Sequence, residues 1–231
     1  MSSITPRWLA PKSVQALIST RKGGISKAPF DTLNLGDHVG DQATDVLANR
    51  AIFAKDLPAE PLWLKQIHGT VVSTPQNRLS KRGKELAADA SVTNIPDEVL
   101  VIMTADCLPV LFTNSNGTVV GVAHAGWRGL CAGVLENTIT ELLNLSDDKN
   151  PGNVIAWLGP AIGPEKFEVG EDVVLAFNDS NFPVPAGSFK AIPSRPGKFL
   201  ANIYLLARGR LEACGIKIIS GGDFCLSLIH I

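Results

Sequence analysis

The chain has 231 residues, a formal net charge of −1, and 19% charged against 45% hydrophobic residues. That length is enough to bury a core without help from disulfides or metals, and the composition excludes a disordered chain, a coiled coil and a charged-tail protein. A near-neutral balance also argues against a nucleic-acid-binding surface, which carries a basic excess.

Residues 14–18 read as a short strand. Residues 41–57 place Val46, Leu47, Ile52 and Phe53 at helical spacing, with Thr44 or Asp45 as cap. Residues 61–66 and Val71-Val72 read as strand pieces around a turn, and residues 78–84 as a surface loop. The continuous apolar run 100–104 predicts a strand buried on both faces, carried on by Val110-Leu111-Phe112 after Pro109. A turn at Asn114-Ser115-Asn116-Gly117 leads to a strand over 118–123. Residues 130–145 are the clearest helix, with Leu130, Val134, Leu135, Ile139, Leu142 and Leu143 along one side. A loop over 146–152, a strand over 154–158, a helix over 170–177, a proline-rich loop over 182–197, a helix over 202–213 and a strand over 216–220 complete the pattern. Strands and helices mix without a strict βαβ rhythm. The expectation is a single α/β domain of the α+β type over residues 1–231, layered from mixed β-sheets and flanking helices.

The four cysteines, Cys107, Cys131, Cys214 and Cys225, contain no C-x-x-C pair and are too few for a disulfide scaffold. Residues 1–20 lack the apolar core of a signal peptide, and no window reaches the ~18 apolar residues of a membrane span. A reduced, cytoplasmic protein without a membrane partner is the expectation. The pattern sets no oligomeric state.

Three apolar runs stop at a His or a Cys beside Gly or Pro: Gln66-Ile67-His68-Gly69, Thr104-Ala105-Asp106-Cys107-Leu108-Pro109, and Ala123-His124-Ala125-Gly126-Trp127-Arg128-Gly129. Strand ends flanked by tight turns are where a rigid scaffold presents reactive groups. His68, Cys107 and His124 together offer imidazole and thiolate, preferred zinc ligands, and three such ligands leave a fourth position for water or substrate. Against this, a lone His at a strand end is commonly a hydrogen-bonded structural residue and a lone Cys a small core hydrophobe. The separations of 39 and 17 residues match no short zinc signature. Arg128, ahead of the best helix, suits an anion such as phosphate, or is a plain surface residue. Arg21 in Arg21-Lys22-Gly23-Gly24 is either a second anion contact or part of a solvated hairpin. Glu168 is either an acid/base or a helix-cap carboxylate. His38 and His230 have no evident partners.

These segments resemble the YfiH family, also called the multicopper polyphenol oxidase-like or laccase-domain family. The resemblance runs from Thr20-Arg21-Lys22-Gly23-Gly24 and Leu33-Asn34-Leu35-Gly36, through Gly40-Asp41, Asn49-Arg50 and Gln66-Ile67-His68-Gly69. It continues with Ala105-Asp106-Cys107-Leu108-Pro109, His124-Ala125-Gly126-Trp127-Arg128-Gly129 and Leu158-Gly159-Pro160-Ala161-Ile162-Gly163. The resemblance implies a mixed α/β fold like that of CNF-type toxins, and a metal site at His68, Cys107 and His124 usually described as zinc. It implies purine nucleoside chemistry: phosphorolysis of adenosine, inosine, guanosine and methylthioadenosine, and deamination of adenosine. It also brings claims of copper-dependent polyphenol oxidation and of peptidoglycan-precursor editing.

Set against those activities, deamination needs an activated water and a carboxylate to shuttle its proton, for which Asp106 or Glu168 is the choice. Phosphorolysis needs phosphate held at the anomeric carbon, a task for Arg21 and Arg128. Laccase chemistry needs several coppers and many His ligands, and this chain has four His, so copper is the poorest fit. A metal-free alternative makes Cys107 the nucleophile and His124 its base, as in an amidohydrolase. Two departures stand out. After Cys225 the family continues with a Thr and an arginine-bearing loop, whereas here Leu226-Ser227-Leu228-Ile229-His230-Ile231 follows, a change expected to bear on substrate binding. Asn202 stands where the family commonly has Asp, a change expected to touch structure more than chemistry.

Overall fold

Seven consecutive buried residues, Leu108–Asn114, form the axis of a six-stranded mixed sheet. The computed structural model describes residues 2–81 and 86–229. In chain order the elements are β1 (Ser3–Ile4), β2 (Ile18–Ser19), α1 (Ala43–Ala54), β3 (Val72–Ser73), α2 (Pro75–Lys81), β4 (Ala90–Thr93), β5 (Leu108–Asn114) and β6 (Val120–Ala125). There follow α3 (Trp127–Ala132), α4 (Val134–Leu145), β7 (Val154–Leu158), β8 (Glu168–Gly170), α5 (Glu171–Asn178), β9 (Phe189–Ala191), β10 (Lys198–Ala201), α6 (Ile203–Ala213), β11 (Ile218–Gly221) and α7 (Leu226–Ile229). The main sheet runs β11-β7-β5-β6-β4-β3. Its β11–β7 and β3–β4 pairs are parallel, and the pairs between them are antiparallel. An antiparallel sheet β8-β10-β9 and a two-stranded ribbon β1-β2 stand beside it.

The two-residue period of β5 sorts its side chains between two cores. Leu108, Val110 and Phe112 enter the larger core together with α4 and α6, whereas Leu111 joins Val122 and Trp157 on the other face. There Trp8, Ile18, Leu100 and Ile102 pack over them. From α4, Leu135, Ile139 and Leu142 are buried, each contributing about 1.5–3 kcal/mol of apolar burial. Among the described residues no helix is long and apolar enough to cross a membrane.

The mixed α/β architecture agrees with expectation, while several elements are redrawn. The helix expected over 130–145 is two helices, because Gly133 adopts the left-handed region at φ 102 and caps α3 before starting α4. The first of them begins earlier than expected, at Trp127. Residues 100–104 are not a doubly buried strand. Only Leu100 makes a bridge, to Leu62, and the run is half-buried to exposed. The fully buried strand in this region is instead β4, Ala90-Ser91-Val92-Thr93. The strand expected over 14–18 is reduced to Ile18–Ser19, and that over 61–66 to isolated bridges at Leu62 and Lys65. Residues 75–81 are helical where a loop was expected from 78, with Pro75 at the first position, where its missing N–H costs nothing. The rest of that expected loop, 82–84, lies outside the described residues, as does His230. Helix α1 starts at Gln42 without a side-chain cap, not from Thr44 or Asp45. The proline-rich stretch contains β9.

Candidate metal centre

Strand register assembles the site. In the antiparallel β5–β6 pair, Leu108 faces Ala125 and Pro109 faces His124, so Cys107, one residue before β5, lies against the end of β6. In the β4–β6 pair Ala90 faces Ala123, and the His124 N–H donates to the Asp89 carbonyl at 2.7 Å. The parallel β3–β4 pair matches Val72 with Ala90, which brings the turn before β3, carrying His68, to the same edge. The ligand-capable atoms of His68, Cys107 and His124 consequently lie within 4.8 Å of one another. They grade from exposed (His68) through half-buried (Cys107) to buried (His124). Among the described residues this is the one such group of three or more.

Gly126 supplies the space. Its φ of −61° is one any residue adopts, so its backbone does not demand glycine. A Cβ there, however, would lie 2.9 Å from both Cys107 Sγ and His68 Cδ2 and 3.6 Å from His124 Cε1. His68 itself has φ 58°, uncommon for a side-chain-bearing residue and concentrated at functional sites. Its conformation turns the N–H groups of Ile67, His68 and Gly69 onto the fully buried Asp89 carboxylate, at 3.1, 2.8 and 2.7 Å. The same carboxylate meets His124 Nδ1 at 2.9 Å. Burial pushes the Asp89 carboxyl up, but His124 and the three backbone N–H groups outweigh it and hold it below the usual carboxylate range.

Burial, reinforced by the adjoining Asp106 carboxylate, pushes the Cys107 thiol up to about 12. Partial desolvation, with neighbouring His124, lowers the pKa of His68, favouring the neutral ring a metal needs. The hydrogen-bond contact of Cys107 Sγ is with His68 Nε2, at 3.9 Å, rather than with His124. Arg128 is exposed and stacks on the Trp127 ring, 4.5 Å from its centroid. Its charge acts on both His68 and Cys107, and among the described residues it has no hydrogen-bonded or ion-paired partner.

The other expected residues lie differently. Arg21 donates from Nε to the Asp31 carbonyl at 2.7 Å and pairs with the Asp31 carboxylate at 3.5 Å, within its own loop. Glu168 opens β8 in the three-stranded sheet and is paired with Arg195. His38 is exposed beside Asp37. Asn202 caps α6 by accepting the Leu205 N–H at 3.0 Å, a structural task. Asp89 was not foreseen. Its one signal is a carboxylate set among Leu86-Ala87-Ala88 and Ala90, where nothing polar accompanies it. Gln66, in sequence no more than a neighbour of His68, bonds both backbone groups of Met103, each at 2.7 Å, and so holds the His68 and Cys107 segments side by side.

Comparison with known proteins finds that the family model for multi-copper polyphenol oxidoreductase laccases matches residues 15–228. Purine nucleoside phosphorylase YfiH of Escherichia coli (strain K12) is 50% identical over 226 residues, covering 96% of this chain and 87% of that protein. A purine nucleoside phosphorylase of Haemophilus influenzae is 45% identical over 97% of this chain and 89% of its own length. A crystal structure of a Neisseria meningitidis DUF152 protein superposes with a TM-score of 0.88 at 44% identity, covering 98% of this chain and 89% of that one. Bacillus licheniformis YfiH gives a TM-score of 0.82 at 28% identity, covering 93% and 83%.

Proposed function

The chain belongs to the YfiH family, described as multi-copper polyphenol oxidoreductase laccases, and from that premise we propose that it is a zinc-dependent purine nucleoside phosphorylase that also deaminates adenosine. The observation that carries this reading is the convergence of His68, Cys107 and His124 beside Arg128, which has no ion-paired partner among the described residues, in a chain half identical to a purine nucleoside phosphorylase. Two imidazoles and a thiol are a donor set that suits zinc, and Gly126 keeps the space between them free of a side chain. A zinc ion held by these three residues would supply positive charge and an open coordination position at the reacting centre.

The remaining work falls to the chain's own groups. Arg128 binds phosphate with its planar fork and orients one oxygen toward the anomeric carbon as the bond from that carbon to the purine nitrogen breaks. Stacking on Trp127 keeps the guanidinium in place without using its N–H donors. Asp106, exposed beside Cys107, handles protons at its carboxylate oxygens. In phosphorolysis it takes the proton that the phosphate gives up as its oxygen bonds the anomeric carbon, and passes it to the departing purine. In deamination it takes one from the attacking water and returns it to the amino group that leaves as ammonia. The substrates are adenosine, inosine, guanosine and methylthioadenosine. Arg21 and Glu168, committed to Asp31 and Arg195, are given no step.

Two rival readings are less well supported. A metal-free Cys nucleophile editing peptides would need His124 as its base, yet the Cys107 Sγ contact is with His68 Nε2, at 3.9 Å, and His124 is engaged by Asp89 through Nδ1. A multicopper oxidase needs several ligand sets, and among the described residues one group is present. The deciding experiment is metal analysis of the purified protein with product analysis on adenosine, with and without phosphate and before and after chelation. The expected result is about one zinc per chain, adenine only with phosphate, inosine without it, and neither after chelation. Full turnover by chelated, metal-free protein would overturn the proposal.

A further inference from the structure

We infer that Asp89 is the positioning residue of this centre, presetting both histidines with one carboxylate: His124 through its ring and His68 through its backbone. The inference rests on reading His68, Cys107 and His124 as zinc ligands. Asp89 is fully buried, and its two oxygens face four nitrogens. One oxygen meets Ile67 N at 3.1 Å and Gly69 N at 2.7 Å, and the other meets His68 N at 2.8 Å and His124 Nδ1 at 2.9 Å. An ionised carboxylate only accepts, so Nδ1 of His124 must carry the proton and Nε2 keeps its lone pair for a metal. On the other side, three successive amides converge on the same charge, which compensates the left-handed conformation of His68 and fixes where its ring starts.

The backbone of Asp89 ties in the same two segments. Its N–H donates to the Val71 carbonyl at 3.1 Å, and its carbonyl accepts the His124 N–H at 2.7 Å. One residue therefore spans the two ligand-bearing segments that are farthest apart in sequence. A purely structural anchor would need the amides alone; the imidazole on the same oxygen makes it a device for orienting ligands.

The test has two arms. In the metal-free wild type, long-range ¹⁵N–¹H spectra of the imidazoles are expected to show His124 only as the Nδ1–H tautomer. An Nε2–H form, or a mixture, would overturn the inference. In Asp89→Asn, zinc affinity measured by competition with a chelator is expected to fall about 10- to 100-fold, and the visible spectrum of the cobalt-substituted protein to shift. Folded Asp89→Asn with wild-type zinc affinity, spectrum and tautomer would overturn it equally. The tautomer arm needs neither metal nor a variant that folds. If the wild type binds no zinc, the zinc reading fails, while the state of His124 still decides the role of Asp89.

Discussion

Asn49 and Asp89 are both wholly buried polar side chains, and they do different work. Asn49, on α1, accepts the Ile25 N–H at 2.9 Å and donates to Ser26 Oγ, the Thr32 carbonyl and the Asn34 carbonyl at 2.8, 3.2 and 2.9 Å. Asp89 likewise gathers four partners. The neutral amide's network runs through the Ser26 hydroxyl to the Asp41 carboxylate, which also accepts from the Asn34 side chain, so it folds back onto the segments it pins and meets no imidazole or thiol. The carboxylate ends one of its bonds on an imidazole that converges with Cys107 and His68, their ligand-capable atoms within 4.8 Å of one another. A buried polar hub becomes part of a functional site when its network ends on a group with spare valence. Otherwise it holds shape. Both residues sit in or beside segments that mark the family, so a family motif does not by itself separate the two roles.

That contrast is most easily broken at Gly126. A Val there would press on Cys107 Sγ and His68 from 2.9 Å, so Gly126→Val is expected to weaken zinc binding at least about 100-fold, or about 2.7 kcal/mol. Competition titration reads the affinity; the same crowding should cost the metal-free protein about 1–3 kcal/mol in urea unfolding. Next comes Asn49→Ala, expected to cost about 2 kcal/mol in urea unfolding because it strands buried backbone groups. Its zinc affinity should stay within about twofold of wild type. If Asn49→Ala loosened zinc as much as Gly126→Val does, the division between shape and site would be lost. Arg128→Ala should raise the KM for phosphate about tenfold, near 1.4 kcal/mol, since one charge-assisted contact is removed. Because Arg128 is exposed, its loss should change stability by no more than about 0.5 kcal/mol.

The sequence made the three convergent side chains visible for a physical reason. Each ends an apolar run beside Gly or Pro, and such ends collect at one edge when the strands pair. Asp89 stayed hidden because its burial arises only after β3, β4 and β6 are in register, and Ala88 and Ala90 give no period to read. The β4 strand escaped for the same reason: Ala90-Ser91-Val92-Thr93 is too small and polar to stand out, yet it is fully buried. Residues 100–104 show the opposite error. They are apolar enough for a strand, but they cover Leu111, Val122 and Trp157 from outside instead of joining the ladder. In the long helix, the apolar period runs on through Gly133, so a break that depends on one backbone angle could not be seen. The α/β class survived these slips because it depends on the number and mixture of elements, not on their ends.

The smallest effect is expected at Glu168, where sequence alone allowed either chemistry or a structural task. Its partner Arg195 is 59% exposed and the carboxylate 31%, so water screens the pair and its loss should cost no more than about 1 kcal/mol. Glu168→Gln removes the charge while keeping the shape. Adenosine turnover within about twofold of wild type is expected, with a small shift in the urea midpoint. A tenfold loss of turnover at unchanged stability would put Glu168 back among the proton-transfer groups, and Asp106 would then have to share or surrender that task. Because both carboxylates are open to water, burial cannot separate them. What separates them is position: Asp106 adjoins Cys107 and acts on its thiol, whereas Glu168 is held in another sheet by a cation of its own.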